Sequence, residues 1–156
     1  MQREGFSVTQ PLADAGYSGT PLPKKLGFKP GQSAAFVGLP PELAALAEAE
    51  AFGGVELAGE AAELGPTGPH DVILAFYTQA HALETELNCL KAVLKSAGMI
   101  WIGWPKKAAK VATDITEDVV RQGALQRGLV DVKVCAISEV WSGLKLVIRV
   151  SERGAR

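Results

Sequence analysis

Histidine and cysteine are scarce in this chain of 156 residues: it holds only His70, His81, Cys89 and Cys135. Two cysteines are too few for a disulfide framework. Both cysteines fall in segments that read as regular elements, and the two histidines are separated by a strand, so no metal-ligand spacing emerges and no metal is expected. Aromatic residues make up 6% of the sequence, which singles out the three tryptophans, Trp101, Trp104 and Trp141. Neither charge sign dominates: the formal net charge is -1 and the isoelectric point is near 6.1. Binding to nucleic acid by bulk positive charge is thereby excluded, although a local basic patch is not. No apolar run reaches the roughly 18 residues of a membrane-spanning helix. Residues 1–15 lack the hydrophobic segment of a signal peptide, so a cytoplasmic protein is expected. No Gly-x-Ser-x-Gly nucleophile elbow and no Walker-type lysine loop occurs.

What the chain does have is apolar material: 47% hydrophobic and 21% charged residues, enough for one domain with a real core. Residues 1–15 read as a mobile tail, 16–150 as a single α/β domain and 151–156 as a C-terminal tail. Leu22 to Phe28 suggests one helical turn, and Ser33 to Gly38 a short strand. A helix from Pro40 to about Glu50 would tolerate its prolines in the first turn, where an N–H has no intrahelical partner. Val55 to Ala58 is a weak second strand. Asp71 to Tyr77 is a continuous apolar run of strand length, suited to a parallel strand covered on both faces. Leu83, Leu87, Leu90 and Leu94 then form one apolar stripe of a helix over Ala80 to Lys95, and Met99 to Trp104 is another buried strand. Asp114 with Glu117 three residues on fits a capping box for a helix running to Arg127, with Gly128 as its stop. Leu129 to Ser138 and Leu144 to Val150 would close the sheet as an antiparallel hairpin. The predicted fold is thus a three-layer Rossmann-like domain with a mostly parallel sheet.

That order of elements resembles a shortened class I S-adenosylmethionine-dependent methyltransferase, a likeness covering roughly residues 33–150. Such enzymes carry a glycine-rich turn after the first strand and an acidic residue at the end of the second. Here the turn is Gly38-Leu39-Pro40-Pro41, and Glu56 and Glu60 are the acidic candidates. The resemblance therefore implies an S-adenosylmethionine site. The two prolines remove N–H donors from the place where the cofactor would be held, so the sequence favours no cofactor. Several segments also resemble a family of small bacterial proteins described only as a domain of unknown function. These are Tyr17-Ser18-Gly19-Thr20-Pro21-Leu22, Lys25-Leu26-Gly27, Trp104-Pro105-Lys106-Lys107, Thr113 to Arg121, Val134-Cys135-Ala136 and Trp141-Ser142-Gly143-Leu144. That likeness carries no activity with it.

In open α/β sheets, ligands gather beyond the carboxyl ends of the parallel strands. Those ends deliver Gly38, Tyr77 with Thr78 and Gln79, Trp104 with Lys106 and Lys107, and Trp141 with Ser142 to one predicted rim. Tyr17 and its neighbours would fold over the rim as a lid or pack on the core as a strap. No acidic residue separates Glu86 from Asp114, whereas Lys91, Lys95, Lys106, Lys107 and Lys110 all fall between them. From Glu42 to Glu63 there are six glutamates and no basic residue, so the fold should have a basic side and an acidic side. Lysine charges beside tryptophan faces would suit an anionic ligand; a solvated loop following a buried strand reads equally from the same residues. The reading favoured by the sequence is a non-catalytic binding module on a degenerate methyltransferase-like scaffold, its partner an anionic small molecule or a protein. The alternatives are a small methyltransferase with an atypical cofactor loop and a single-strand nucleic-acid binder, the last disfavoured by charge. The sequence leaves the oligomeric state open.

Overall fold

The computed structural model describes residues 20–65 and 69–153. Tyr17, the proposed lid or strap around it and the N-terminal tail lie outside the described residues. Six strands form one sheet: β1 Ser33–Val37, β2 Gly54–Ala58, β3 His70–Phe76, β4 Leu94–Pro105, β5 Leu129–Ala136 and β6 Trp141–Ile148. Their order is β2-β1-β3-β4-β6-β5. The first four run parallel, and β6 is antiparallel to both β4 and β5. The mostly parallel α/β sheet with a closing hairpin is therefore as the sequence indicates.

Helices α2 (Ala80–Ala92) and α3 (Glu117–Leu125) cover one face. Their Leu83, Leu87, Leu90, Val120 and Ala124 pack with Ile73, Ile100, Ile102, Leu144 and Leu146 in one buried cluster. The other face carries α1 (Leu22–Lys25) and a 3-10 helix, Pro41–Glu48. There Leu22, Leu26, Leu43 and Leu46 meet Phe36, Leu74, Phe76 and Trp101. Each leucine removed from water in this way contributes about 1.5–3 kcal/mol. Trp101 is fully buried and its indole N–H donates to the Leu26 carbonyl at 2.9 Å, which satisfies its one polar atom. With only Asp71 partly exposed, β3 is buried on both faces. Among the described residues no helix is long and apolar enough to cross a membrane.

Several boundaries differ from the sequence reading, among them the start of β6, which falls at Trp141 and not Leu144. Residues 41–48 wind as a 3-10 helix rather than an α-helix. Leu43 and Leu46, three apart and both buried, lie on one side of a three-residue turn, and Leu43 N–H donates to Pro40 C=O in the i to i+3 pattern. Helix α2 stops at Ala92, and Leu94 already pairs with His70, so β4 starts five residues before Met99 across an irregular register. The cap of α3 is Thr116, whose hydroxyl accepts from Val119 N–H at 3.2 Å. Asp114 instead accepts from Ala80 N–H at 2.7 Å and so serves the start of α2, thirty-four residues away in sequence. Finally, the expected C-terminal tail begins as a helical turn, Val150–Arg153, in which Glu152 pairs with Lys91 and Arg149.

Candidate functional site at the carboxyl rim

The carboxyl ends of the strands converge as the parallel register requires. Gly38 follows β1 with φ +64, a left-handed conformation that side chains other than glycine rarely adopt. A Cβ there would stand 3.2 Å from the Phe76 carbonyl, and its N–H donates to Ala58 C=O at 2.8 Å. One residue thus touches the ends of both β2 and β3. Tyr77 N–H donates to Gly103 C=O, Pro105 stands opposite Trp141, and the Phe76 and Trp141 rings meet edge to face at 5.2 Å. Trp141 also donates its indole N–H to Glu42 at 3.3 Å, which ties the closing hairpin to the chain leaving Gly38. Gly38, Tyr77, Trp104 and Trp141 accordingly share one lip of the molecule.

Their side chains do different things. Tyr77 is buried and its hydroxyl donates to Glu86 at 2.5 Å, while the same Glu86 oxygen accepts from Ala61 N–H at 2.9 Å. Burial, then the adjacent Glu86 carboxylate, pushes the phenol far above its ordinary range, so it remains a neutral donor. This side chain anchors α2 and the 3-10 turn Ala61–Glu63 from inside, and does not present its hydroxyl to the lip. Trp104 is also mostly buried, yet it forms part of a cleft of about 330 Å3 together with Lys106, Lys107, Thr113, Thr116 and Ser142. The cleft wall is fixed to the end of β3 by Thr113, whose hydroxyl donates to Thr78 C=O at 2.6 Å and accepts from Ile115 N–H. Lys106 N–H donates to Val140 C=O at 2.7 Å, which seats the lysine loop on the hairpin turn.

The basic side predicted from five lysines is smaller than expected. Lys91 donates to Arg127 C=O and Glu152, and Lys95 pairs with Asp71, both away from the rim. Lys106, Lys107 and Lys110 remain on the loop after β4, and among the described residues Lys106 and Lys107 have no carboxylate partner. Cys135 lies near Lys25, Lys133 and Lys106. Burial raises its thiol against the pull of those three charges, which suits a core residue more than a nucleophile. Among the described residues, no group of three His, Cys, Asp or Glu side chains is placed to hold a metal.

At the opposite, amino end of the strands lies a polar network that sequence reasoning missed. His70 is 4% exposed. Its Nδ1 lies 2.8 Å from Ser33 Oγ and its Nε2 lies 3.0 Å from Glu56. Glu56 also accepts from Gly65 N–H, and Asp71 accepts from Ser33 N–H and Lys95. Four strands, β1 to β4, are cross-linked here. No local spacing announces such a set, because Ser33, Glu56 and His70 come from three separate elements.

Several solved structures similar in fold to this chain are methyltransferases. A S-adenosylmethionine-dependent methyltransferase from Aquifex aeolicus aligns with a TM-score of 0.61 and 19% identity, over 80% of this chain and 87% of its own. The magnesium protoporphyrin IX methyltransferase of Synechocystis PCC 6803, solved with S-adenosylmethionine bound, gives 0.57 and 15%, over 76% and 71%. The Bacillus subtilis tRNA methyltransferase TrmK gives 0.55 and 12%, over 84% and 66%. No family model matches the chain, and no curated protein matches it. The fold is therefore that of the class I S-adenosylmethionine-dependent methyltransferases.

The rim residues fit that cofactor unevenly. Of the two acidic candidates, Glu56 is committed to His70 and Gly65. Glu60 lies just past the end of β2, exposed, and among the described residues its carboxylate has no partner. It is free to accept from ribose hydroxyls. Left-handed Gly38 supplies the turn that lets backbone approach a ligand. Pro40 and Pro41 offer no N–H where the amino-acid portion would need donors. The donor set thus fits the nucleoside half of the cofactor better than its methionine half.

Proposed function

We propose that this chain is a small S-adenosylmethionine-dependent methyltransferase with an atypical cofactor loop. The observation that carries the proposal is the left-handed Gly38 at the topological switch point, between the ends of β2 and β3, with the backbone of Gly59, the residue before the unpaired Glu60, close by. When bound, the cofactor would supply an electrophilic methyl group to an acceptor lone pair and would leave as the neutral thioether, the acceptor's proton going to solvent or a base. Glu60 would accept hydrogen bonds from the ribose, and Gly38 would bring the backbone close without a clashing Cβ. Thr78 and Gln79, at the end of β3, would border the base. The Tyr77–Glu86 hydrogen bond ties the end of β3 to α2. Pro40 and Pro41 stiffen the turn without donating, so fewer bonds reach the methionine end and affinity should rest on the nucleoside.

Those two prolines also favour a second reading, a binding module on this fold that performs no transfer. Calorimetry distinguishes the two. Titration with S-adenosylmethionine and S-adenosylhomocysteine should give saturable heat that weakens about tenfold in Glu60→Gln, the loss of one charged hydrogen-bond acceptor. No heat from either ligand would remove the methyltransferase reading and leave the module.

A further inference from the structure

The cleft beside the lysine loop does not overlap the residues assigned to the cofactor, and its lining has a distinct chemistry. Trp104, Pro105 and Ile115 give it apolar walls. Lys106 and Lys107 stand at its edge with no carboxylate partner among the described residues, and the Ser142 hydroxyl makes no hydrogen bond among them. The hydroxyls of Thr113 and Thr116 are already engaged, one by Thr78 C=O and Ile115 N–H, the other by Val119 N–H. The one carboxylate in the lining, Glu117, is held by Arg121, itself bonded to Asp131. The unspent polar capacity of the cleft is therefore two ammonium groups and one hydroxyl, all suited to an anion. A volume of about 330 Å3 lies at the small end of the range typical of small-molecule sites. The Thr113–Thr78 bond places the cleft against the end of β3, beside the switch point.

We infer that this cleft is the acceptor site, and that it takes a small aromatic compound carrying a phosphate or carboxylate. Its apolar walls would hold the ring, while Lys106, Lys107 and Ser142 would hold the anionic group. The identity of the site as an acceptor site rests on the methyltransferase reading; its binding chemistry does not.

The test uses the full chain and phenyl phosphate and benzoate as probes, with inorganic phosphate and phenol as the separate halves. Binding is followed by calorimetry without cofactor and then with S-adenosylhomocysteine present. Phenyl phosphate should bind more tightly than inorganic phosphate or phenol, or benzoate more tightly than phenol, and Lys106→Ala with Lys107→Ala should weaken that binding about tenfold or more, with the melting temperature unchanged. Lys24→Ala with Lys29→Ala, at the far end of the sheet, should leave binding as in the wild type. The comparison between phosphate and carboxylate identifies which anion the site prefers. The inference is overturned if neither aromatic anion binds at millimolar concentration, if inorganic phosphate binds as well as phenyl phosphate, or if the lysine pair can be removed without effect. A single-stranded oligonucleotide that binds more tightly through the same lysines, with affinity falling steeply with salt, overturns it in favour of nucleic acid. Aromatic-anion binding without any S-adenosylhomocysteine binding would sink the methyltransferase reading and leave the anion cleft standing. The converse result would sink the cleft alone.

Discussion

The two ends of the sheet treat their polar groups in opposite ways. At the amino end, Ser33, Glu56, His70, Asp71 and Lys95 are linked to one another across four strands. At the carboxyl end, the side chains of Glu60, Lys106, Lys107 and Ser142 make no hydrogen bond or ion pair among the described residues. A closed network stabilises the fold, because each buried group would otherwise be left without its hydrogen bond. Open groups at exposed strand ends contribute little to stability and are available to a ligand. The same sheet therefore separates an end whose polar groups are bonded to one another from an end where several stay open, which is where the proposed site lies.

Substitutions sharpen that contrast. Trp101→Ala, in the core between the two ends, should cost about 3–5 kcal/mol by denaturant unfolding, since it leaves a cavity and strands the Leu26 carbonyl. At the amino end, His70→Ala should cost about 2–3 kcal/mol, because it leaves Ser33 and Glu56 without their ring partner, while ligand binding at the rim is retained. Thr116→Ala should cost about 1 kcal/mol through loss of the α3 cap. Lys106→Ala with Lys107→Ala should change stability by only ~0–1 kcal/mol, in contrast to its effect on anion binding. An amino-end variant that abolished binding at unchanged stability would break the contrast.

The amino-end network also has a pH signature. Burial raises the Asp71 carboxyl, but the Ser33 N–H and the Lys95 ammonium outweigh it and hold the group below its usual range. A carboxyl depressed in the folded state stabilises the fold above its unfolded value, and that contribution is lost as pH falls through the folded one. Asp71→Asn should therefore flatten the acid limb of a stability–pH curve and leave the neutral region least altered in shape. An unchanged acid limb would mean that other carboxylates dominate it.

Much of the sheet was legible because its central strands announce themselves. The run Asp71 to Tyr77 and the leucine stripe of α2 need no tertiary information, and the parallel arrangement then placed Gly38, Tyr77, Trp104 and Trp141 together. What was not legible depended on contacts between distant elements. Asp114 and Thr116 both present a polar side chain three residues before a plausible partner, and only the fold shows that Asp114 serves the start of α2. Tyr77 reads as a rim residue from its position at a strand end, but Glu86 draws its hydroxyl inward. Lys91 and Lys95 looked like part of one basic side until Glu152 and Asp71 accounted for them. His70 looked isolated because Ser33 and Glu56 lie 37 and 14 residues away.

Amide chemical-shift mapping on addition of S-adenosylhomocysteine tests the central claim most directly. The account predicts saturable shifts at Gly38, Leu39, Glu60, Thr78 and Gln79, with His70 and Ser33 unmoved. Shifts confined to the amino end, or none at saturating ligand, would contradict it.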